Sequence, residues 1–129
     1  MNKILAIIVS LSVLNLSSCK KKPSAGLGGN ANLKIVVIHH AVELDSCKVY
    51  IKFNSSEAVS VSEFDLSQVL QRDSIGKSYT VFKGLKKGDY YIYSEGWDPS
   101  IFNTVKGGIP FTISAENDQT INLPVTEVH

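Results

Sequence analysis

From residue 33 onward, apolar and polar positions alternate in short runs separated by turn-forming residues. The cleanest run is Cys47 to Phe53. Cys47, Val49, Ile51 and Phe53 fall on one side, and Lys48, Tyr50 and Lys52 on the other. That is the pattern of a strand with one buried and one wet face. Leu33 to Ala41 forms an earlier strand, with Leu33, Ile35, Val37 and His39 sharing a face. The stretch Phe82 to Asp98 predicts a tight turn at Gly84–Gly88, bracketing two lysines, followed by a strand through Tyr90, Tyr91, Ile92 and Tyr93. Ser78 to Phe82 leads into it as another strand.

Other segments are less regular. Ala58 to Phe64 alternates Val and Ser and fits a short strand. Asp65 to Arg72 has apolar spacing for two helical turns capped by Asp65, or forms an irregular connection. Ile101–Val105 and Ile109–Ser114, either side of Lys106-Gly107-Gly108, read as a strand pair or as one strand with a glycine break. Gln119 to Val128 is the last strand, with Ile121, Leu123 and Val125 on one face. Pro124 lacks a ladder donor and places that strand at an edge or a bulge. Roughly seven short strands with turn signals every eight to twelve residues predict an all-β antiparallel sandwich.

The first residues carry a different pattern. A basic start at Met1–Lys3 precedes an apolar run from Ile4 to Leu14, too short to span a bilayer and suited to a signal peptide. It ends in Leu16-Ser17-Ser18-Cys19, which resembles the lipobox of bacterial lipoproteins. In such proteins small residues fit the peptidase groove, and the cysteine thiol takes a diacylglyceryl group. The resemblance implies a signal peptide over 1–18 and Cys19 as lipid anchor, with palmitate-type acyl chains. Two or more chains hold a protein stably at a membrane. Lys20-Lys21-Lys22 form a basic collar suited to anionic headgroups. Pro23 to Asn32, rich in Gly, Ser, Ala and Asn, reads as a flexible tether. The expected organisation is therefore 1–18 leader, 19–32 anchor and tether, and 33–129 sandwich.

Composition narrows the function classes. The chain has 129 residues and a formal net charge of +1, too balanced for nucleic-acid binding by bulk electrostatics. From residue 33 there are nine Lys and Arg against twelve Asp and Glu, so the folded part is mildly acidic. No nucleophile elbow, phosphate loop or spaced carboxylate pair is present, which argues against an enzyme. Of the two cysteines, Cys47 has no partner once Cys19 is lipidated and reads as a small buried hydrophobe.

Two ligand sites suggest themselves. The histidines are His39, His40 and His129. If the first and last strands run parallel, their ends converge, and His40, His129 and Glu127 would suit Zn²⁺ or Cu²⁺. Adjacent residues of a strand face opposite ways, so His39 and His40 are not expected to ligate together. Tyr91, Tyr93 and Trp97 are the aromatics expected at the surface, a platform for a glycan or a protein.

Phe82-Lys-Gly-Leu-Lys-Lys-Gly-Asp-Tyr-Tyr-Ile-Tyr resembles the centre of prealbumin-like bacterial sandwich domains, the group with carboxypeptidase regulatory-like and collagen-adhesin B-type modules. On that resemblance Phe82, Leu85, Tyr90 and Ile92 point inward. The order of the chain, with Val105-Lys-Gly-Gly-Ile-Pro and the ending Val125-Thr-Glu-Val-His, also looks like small lipoproteins of Bacteroidetes-type bacteria. The resemblance implies a non-enzymatic accessory or binding module of the cell envelope. It would be lipid-anchored at the outer membrane on either face, with other envelope proteins or glycans as partners. Strand-exchange assembly through an edge is a further alternative. Adhesin-type modules also imply a Lys–Asn crosslink, for which Lys34 and Asn122 are the candidates.

Overall fold

The computed structural model describes residues 24–129. Its strands are β1 Leu27–His39, β2 Val42–Glu43, β3 Cys47–Phe53, β4 Leu66–Val69, β5 Gln71–Arg72, β6 Ser78–Leu85, β7 Gly88–Asp98, β8 Asn103–Ile113, β9 Asp118–Pro124 and β10 Thr126–Glu127. Seven have four or more residues, and three are two-residue bridges. Among the described residues the only helical element is a 3-10 turn at Val61–Glu63, and no helix is long and apolar enough to cross a membrane.

The strands form two sheets of a sandwich. In the first, β1 pairs antiparallel with β2 and β6 and parallel with β9, and β5 pairs with β6. The second has the order β10-β8-β7-β3-β4. The sandwich is thus antiparallel except for β1–β9, where Asn32 to Ile38 run in register with Asp118 to Pro124. Among the described residues β9 pairs with β1 alone, and Pro124, which has no N–H to donate, is the last residue of that ladder.

Alternation builds the core between the sheets. Leu33, Ile35 and Val37 of β1, Val49 and Ile51 of β3, Phe82 and Leu85 of β6, Tyr90 and Ile92 of β7 and Leu123 of β9 are all essentially inaccessible. Each fully buried aliphatic or aromatic side chain contributes about 1.5–3 kcal/mol relative to exposure. The chain changes sheets at buried corner residues. Leu70 lies between β4 and β5 and donates its N–H to the Cys47 carbonyl at 3.1 Å. Val125 lies between β9 and β10 and donates to Ile38 at 2.9 Å.

Several segments differ from expectation. β1 begins at Leu27, so the glycine-rich stretch before residue 33 is largely part of the sheet rather than a tether. Leu27 and Ala31 both register with Leu85, which makes Gly28-Gly29-Asn30 a bulge. A Cβ on Gly29 would come within 2.2 Å of the Leu85 carbonyl oxygen, so glycine there serves close approach, not flexibility. Residues 58–64 are not a strand, and 65–72 are neither helical nor irregular but the strands β4 and β5. Asp65 caps no helix. Its carboxylate accepts the Phe53 N–H at 2.7 Å and holds the 54–65 loop against β3. That loop lays Phe64 beside Tyr50 and Tyr93, with ring centres 5.4 and 5.6 Å apart. Tyr50 is therefore buried on the face expected to be wet. Gly107-Gly108 do not break β8, because Gly107 admits the Pro124 carbonyl, 2.4 Å from where its Cβ would stand.

Lys34 places its ammonium 3.9 Å from the Tyr79 ring centre, and Asn122 is exposed opposite Val36. The buried arrangement a Lys–Asn crosslink needs is not assembled. Cys47 is buried, and desolvation pushes its thiol up to about 11, so it stays protonated and inert.

The Tyr90 hydroxyl accepts the Gly26 N–H at 3.0 Å and donates to the Lys86 carbonyl at 2.7 Å. It pins the start of β1 to the β6–β7 turn. Tyr90→Phe should lower stability by about 1–2 kcal/mol, read as a lower urea midpoint with unchanged slope.

Candidate functional site

The alternation that fills the core continues to its end and delivers polar groups there. On β1 the inward series Leu33, Ile35, Val37 is completed by His39, which is 2% exposed. On β7 the inward series Tyr90, Ile92, Ser94 is completed by Asp98. The two meet, with His39 Nδ1 2.6 Å from Asp98 Oδ2. The other Asp98 oxygen accepts the Ser100 N–H at 2.8 Å and the Ser100 hydroxyl at 2.6 Å. These Ser100 bonds, then His39, hold the Asp98 carboxyl below its ordinary range. The Asp98 hydrogen bond raises the His39 pKa against the opposing effect of burial, with Glu127 helping. The ionised Asp98 carboxylate can only accept, so in neutral His39 the proton belongs on Nδ1. Nε2 lies 3.2 Å from Glu127 Oε1 but is not aligned for a hydrogen bond, and it has no hydrogen-bond partner.

His40 reaches the same place by an unexpected route. His39 and Val42 are paired, so His40 and Ala41 form a two-residue hairpin loop. Both have positive φ, 47° and 64°, the geometry such a loop demands. Left-handed backbone at a non-glycine residue costs on the order of 1 kcal/mol. It also takes His40 out of strand alternation and swings its ring back beside His39, with centroids 4.1 Å apart. The expectation that neighbouring histidines face apart fails here because His40 is no longer extended.

Glu127 is supplied by the last strand. β9 runs parallel to β1, Val125 crosses between sheets, and β10 pairs Glu127 with Val105. Glu127 Oε1 sits 2.9 Å from His40 Nε2. That hydrogen bond is the main reason its carboxyl is lowered to about 2, helped by its own backbone N–H and by His39. One ligating atom each from His39, His40 and Glu127 can be chosen so that all lie within 4.8 Å of one another. His129 is exposed and is not part of this group. The expected trio of His40, His129 and Glu127 is thus corrected to His39, His40 and Glu127.

The aromatic candidates divide. Tyr91 and Tyr93 line a cleft of about 590 Å³ on the outer face of the second sheet, with Glu95, Lys106, Gly108 and Glu127. The 58–61 segment forms another of its walls. Tyr93 stacks on Phe64 and donates its hydroxyl to Glu95 at 3.0 Å, and burial first, then Glu95, push it up to about 12. Trp97 is exposed but does not line this cleft. Glu127 belongs to both cleft and histidine cluster. Cys19 and Lys20–Lys22 lie outside the described residues. Sequence reasoning missed Asp98 and Ser100, although Asp98 continues the inward parity of Tyr90 and Ile92.

The cluster sets a pH profile for the metal-free chain. His39, with Asp98, Glu127 and His40 around it, has a folded pKa above 6.5. Its stabilising contribution is complete below about pH 6.5 and fades as pH rises through the raised value. Asp98 and Glu127 are lowered from 3.8 and 4.5, so theirs is complete above those values and fades as pH falls. Stability measured by denaturant titration in chelator should plateau between about pH 4.5 and 6.5 and decline on both sides. His39→Gln should remove the decline that begins above about pH 6.5, leaving the one that the raised Cys47 and Tyr93 bring above about pH 9.

No protein-family model, curated protein or solved structure matches this chain.

Proposed function

We propose that this chain is a lipid-anchored, non-enzymatic binding module of the bacterial cell envelope, attached through Cys19 and presenting its histidine end away from the bilayer. The observation that carries the reading is the lipobox-like Leu16-Ser17-Ser18-Cys19 placed only a few residues before β1. Its anchoring chemistry is that of a multiply acylated cysteine.

The arrangement of the sandwich supports this orientation. The described chain starts beside the β6–β7 turn, where Ser24 and Gly28 share a recess with Lys86, Lys87 and Glu116. Lys86 and Lys87 are exposed, on the side nearest the Lys20–Lys22 collar in sequence. Lysines in such a position favour anionic headgroups by about 1 kcal/mol each. β1 then runs 13 residues to His39, about 40 Å at strand rise. The tyrosine-lined cleft and histidine cluster suit binding by an accessory domain. The prealbumin-like resemblance of Phe82–Tyr93 agrees with such a role, and outer-membrane placement on either face is compatible with it.

Expression in a bacterial host and fractionation test the anchor. The wild-type chain should partition with membranes, and its N-terminal peptide should carry acyl mass on Cys19. Cys19→Ala should move the chain to the soluble fraction. An unmodified Cys19 in the mature chain, or equal membrane retention of Cys19→Ala, would contradict the proposal.

A further inference from the structure

We infer that His39 Nε2, His40 Nε2 and Glu127 form a three-ligand site for a divalent transition metal of the Zn²⁺ or Cu²⁺ kind, with Asp98 as its supporting carboxylate. The site is argued from the folded residues alone and does not depend on the anchor.

Four observations converge. The first is the state of His39. It is almost wholly buried, yet its Nε2 has no hydrogen-bond partner. A buried polar atom left so is destabilising, and native structures seldom retain one without a use. A histidine serving only as a structural link between two carboxylates would align both ring nitrogens. Here one nitrogen is aligned on Asp98, and the other faces Glu127 Oε1 at 3.2 Å without hydrogen-bond alignment.

The second is the partner on the far nitrogen. A metal-bound imidazole almost always gives its other N–H to a carboxylate or carbonyl, which fixes the ring and leaves the ligating lone pair exposed. His39 Nδ1 and Asp98 Oδ2, 2.6 Å apart, supply that arrangement, and Ser100 holds Asp98 in turn. The support is built to a depth that a surface ion pair lacks.

The third is spacing. Metal–nitrogen and metal–oxygen bonds near 2.0–2.2 Å at tetrahedral angles separate ligand atoms by about 3.4 Å. Glu127 Oε1 stands 3.2 Å from His39 Nε2 and 2.9 Å from His40 Nε2. The widest separation in the group is within 4.8 Å. His40, whose side chain is 71% exposed, is the member free to close it. Two imidazoles and a carboxylate are the ligand set of borderline metals rather than of Mg²⁺ or Ca²⁺.

The fourth is backbone. The left-handed His40-Ala41 loop is held without glycine or asparagine. Strain of this kind collects where a side chain must be aimed. Three protein ligands leave one coordination place for water or for a donor from an occupant of the adjoining cleft, whose wall includes Glu127.

The test uses the full-length chain without a histidine tag, stripped by chelator and titrated calorimetrically with ZnCl₂. Saturation at one Zn²⁺ per chain is expected. His40→Ala and Glu127→Gln, which change partly or largely exposed side chains and leave the core intact, should each weaken Zn²⁺ at least about tenfold. Asp98→Asn should weaken it about 10–100-fold. Co²⁺ in place of Zn²⁺ should give the intense visible absorption of a tetrahedral site, lost in His40→Ala. His129→Ala should leave affinity within about twofold, since that residue lies outside the group. Absence of saturable binding, or binding that survives both His40→Ala and Glu127→Gln, would overturn the site. A loss on His129→Ala as large as that on His40→Ala would overturn the ligand set.

Discussion

The register of β1 is the constraint on which the rest depends. The strand is paired on both edges, antiparallel to β6 and parallel to β9. Its inner face carries Leu33, Ile35 and Val37 at zero exposure. A slip by one residue would turn all three outward, and each is worth about 1.5–3 kcal/mol in place. The apolar core therefore fixes where His39 lands. The same reasoning applied to Tyr90 and Ile92 of β7 fixes Asp98. The polar pair at the end of the sandwich is positioned by hydrophobic residues that never touch solvent, which gives it the rigidity of a core rather than of a loop.

Burying such a pair is unfavourable unless its hydrogen bonds are made. Asp98 is well provided by His39 Nδ1 and Ser100. His39 is hydrogen-bonded on one side only, its Nε2 facing Glu127 at 3.2 Å without alignment. The remaining groups at this corner, His40 and Glu127, come from chain segments that depart from regular strand. One departs through a left-handed loop and the other through a change of sheet at Val125. The regular part of the fold thus holds the support, while the irregular part brings the exposed ligating groups. The neighbouring cleft draws on the same irregularity, since the 54–65 segment that forms one wall is the longest stretch without a strand between β3 and β4.

Much of this was legible in the residues. Period-two patterning marked the sandwich, the inward set of β1 and β3, the β6–β7 turn and the edge position of the strand with Pro124. What escaped has specific physical causes. Gly28-Gly29 have a linker's composition but serve close approach to Leu85, which only the paired strand reveals. Leu66 to Arg72 has helical spacing because Leu70 is a corner between two sheets, and that interrupts alternation. His40-Ala41 lacks the glycine or asparagine that would signal a turn with positive φ. Strand alternation alone therefore sets the two histidines on opposite faces and points to His129, which lies outside the cluster. Asp98 was hidden by its Gly-Trp-Asp-Pro context, which reads as a strand terminator although the strand's parity still holds there.

The corner holds neutral His39 with its proton on Nδ1, toward Asp98, and its Nε2 free of a hydrogen bond and turned toward Glu127. Long-range proton–nitrogen NMR of the imidazoles, at mildly alkaline pH, reads this directly. The account predicts His39 in the Nδ1–H form, with its Nε2 and that of His40 shifting together when one equivalent of Zn²⁺ is added and with His129 unmoved. A His39 protonated on Nε2, or a Zn²⁺ response confined to His129, would contradict it.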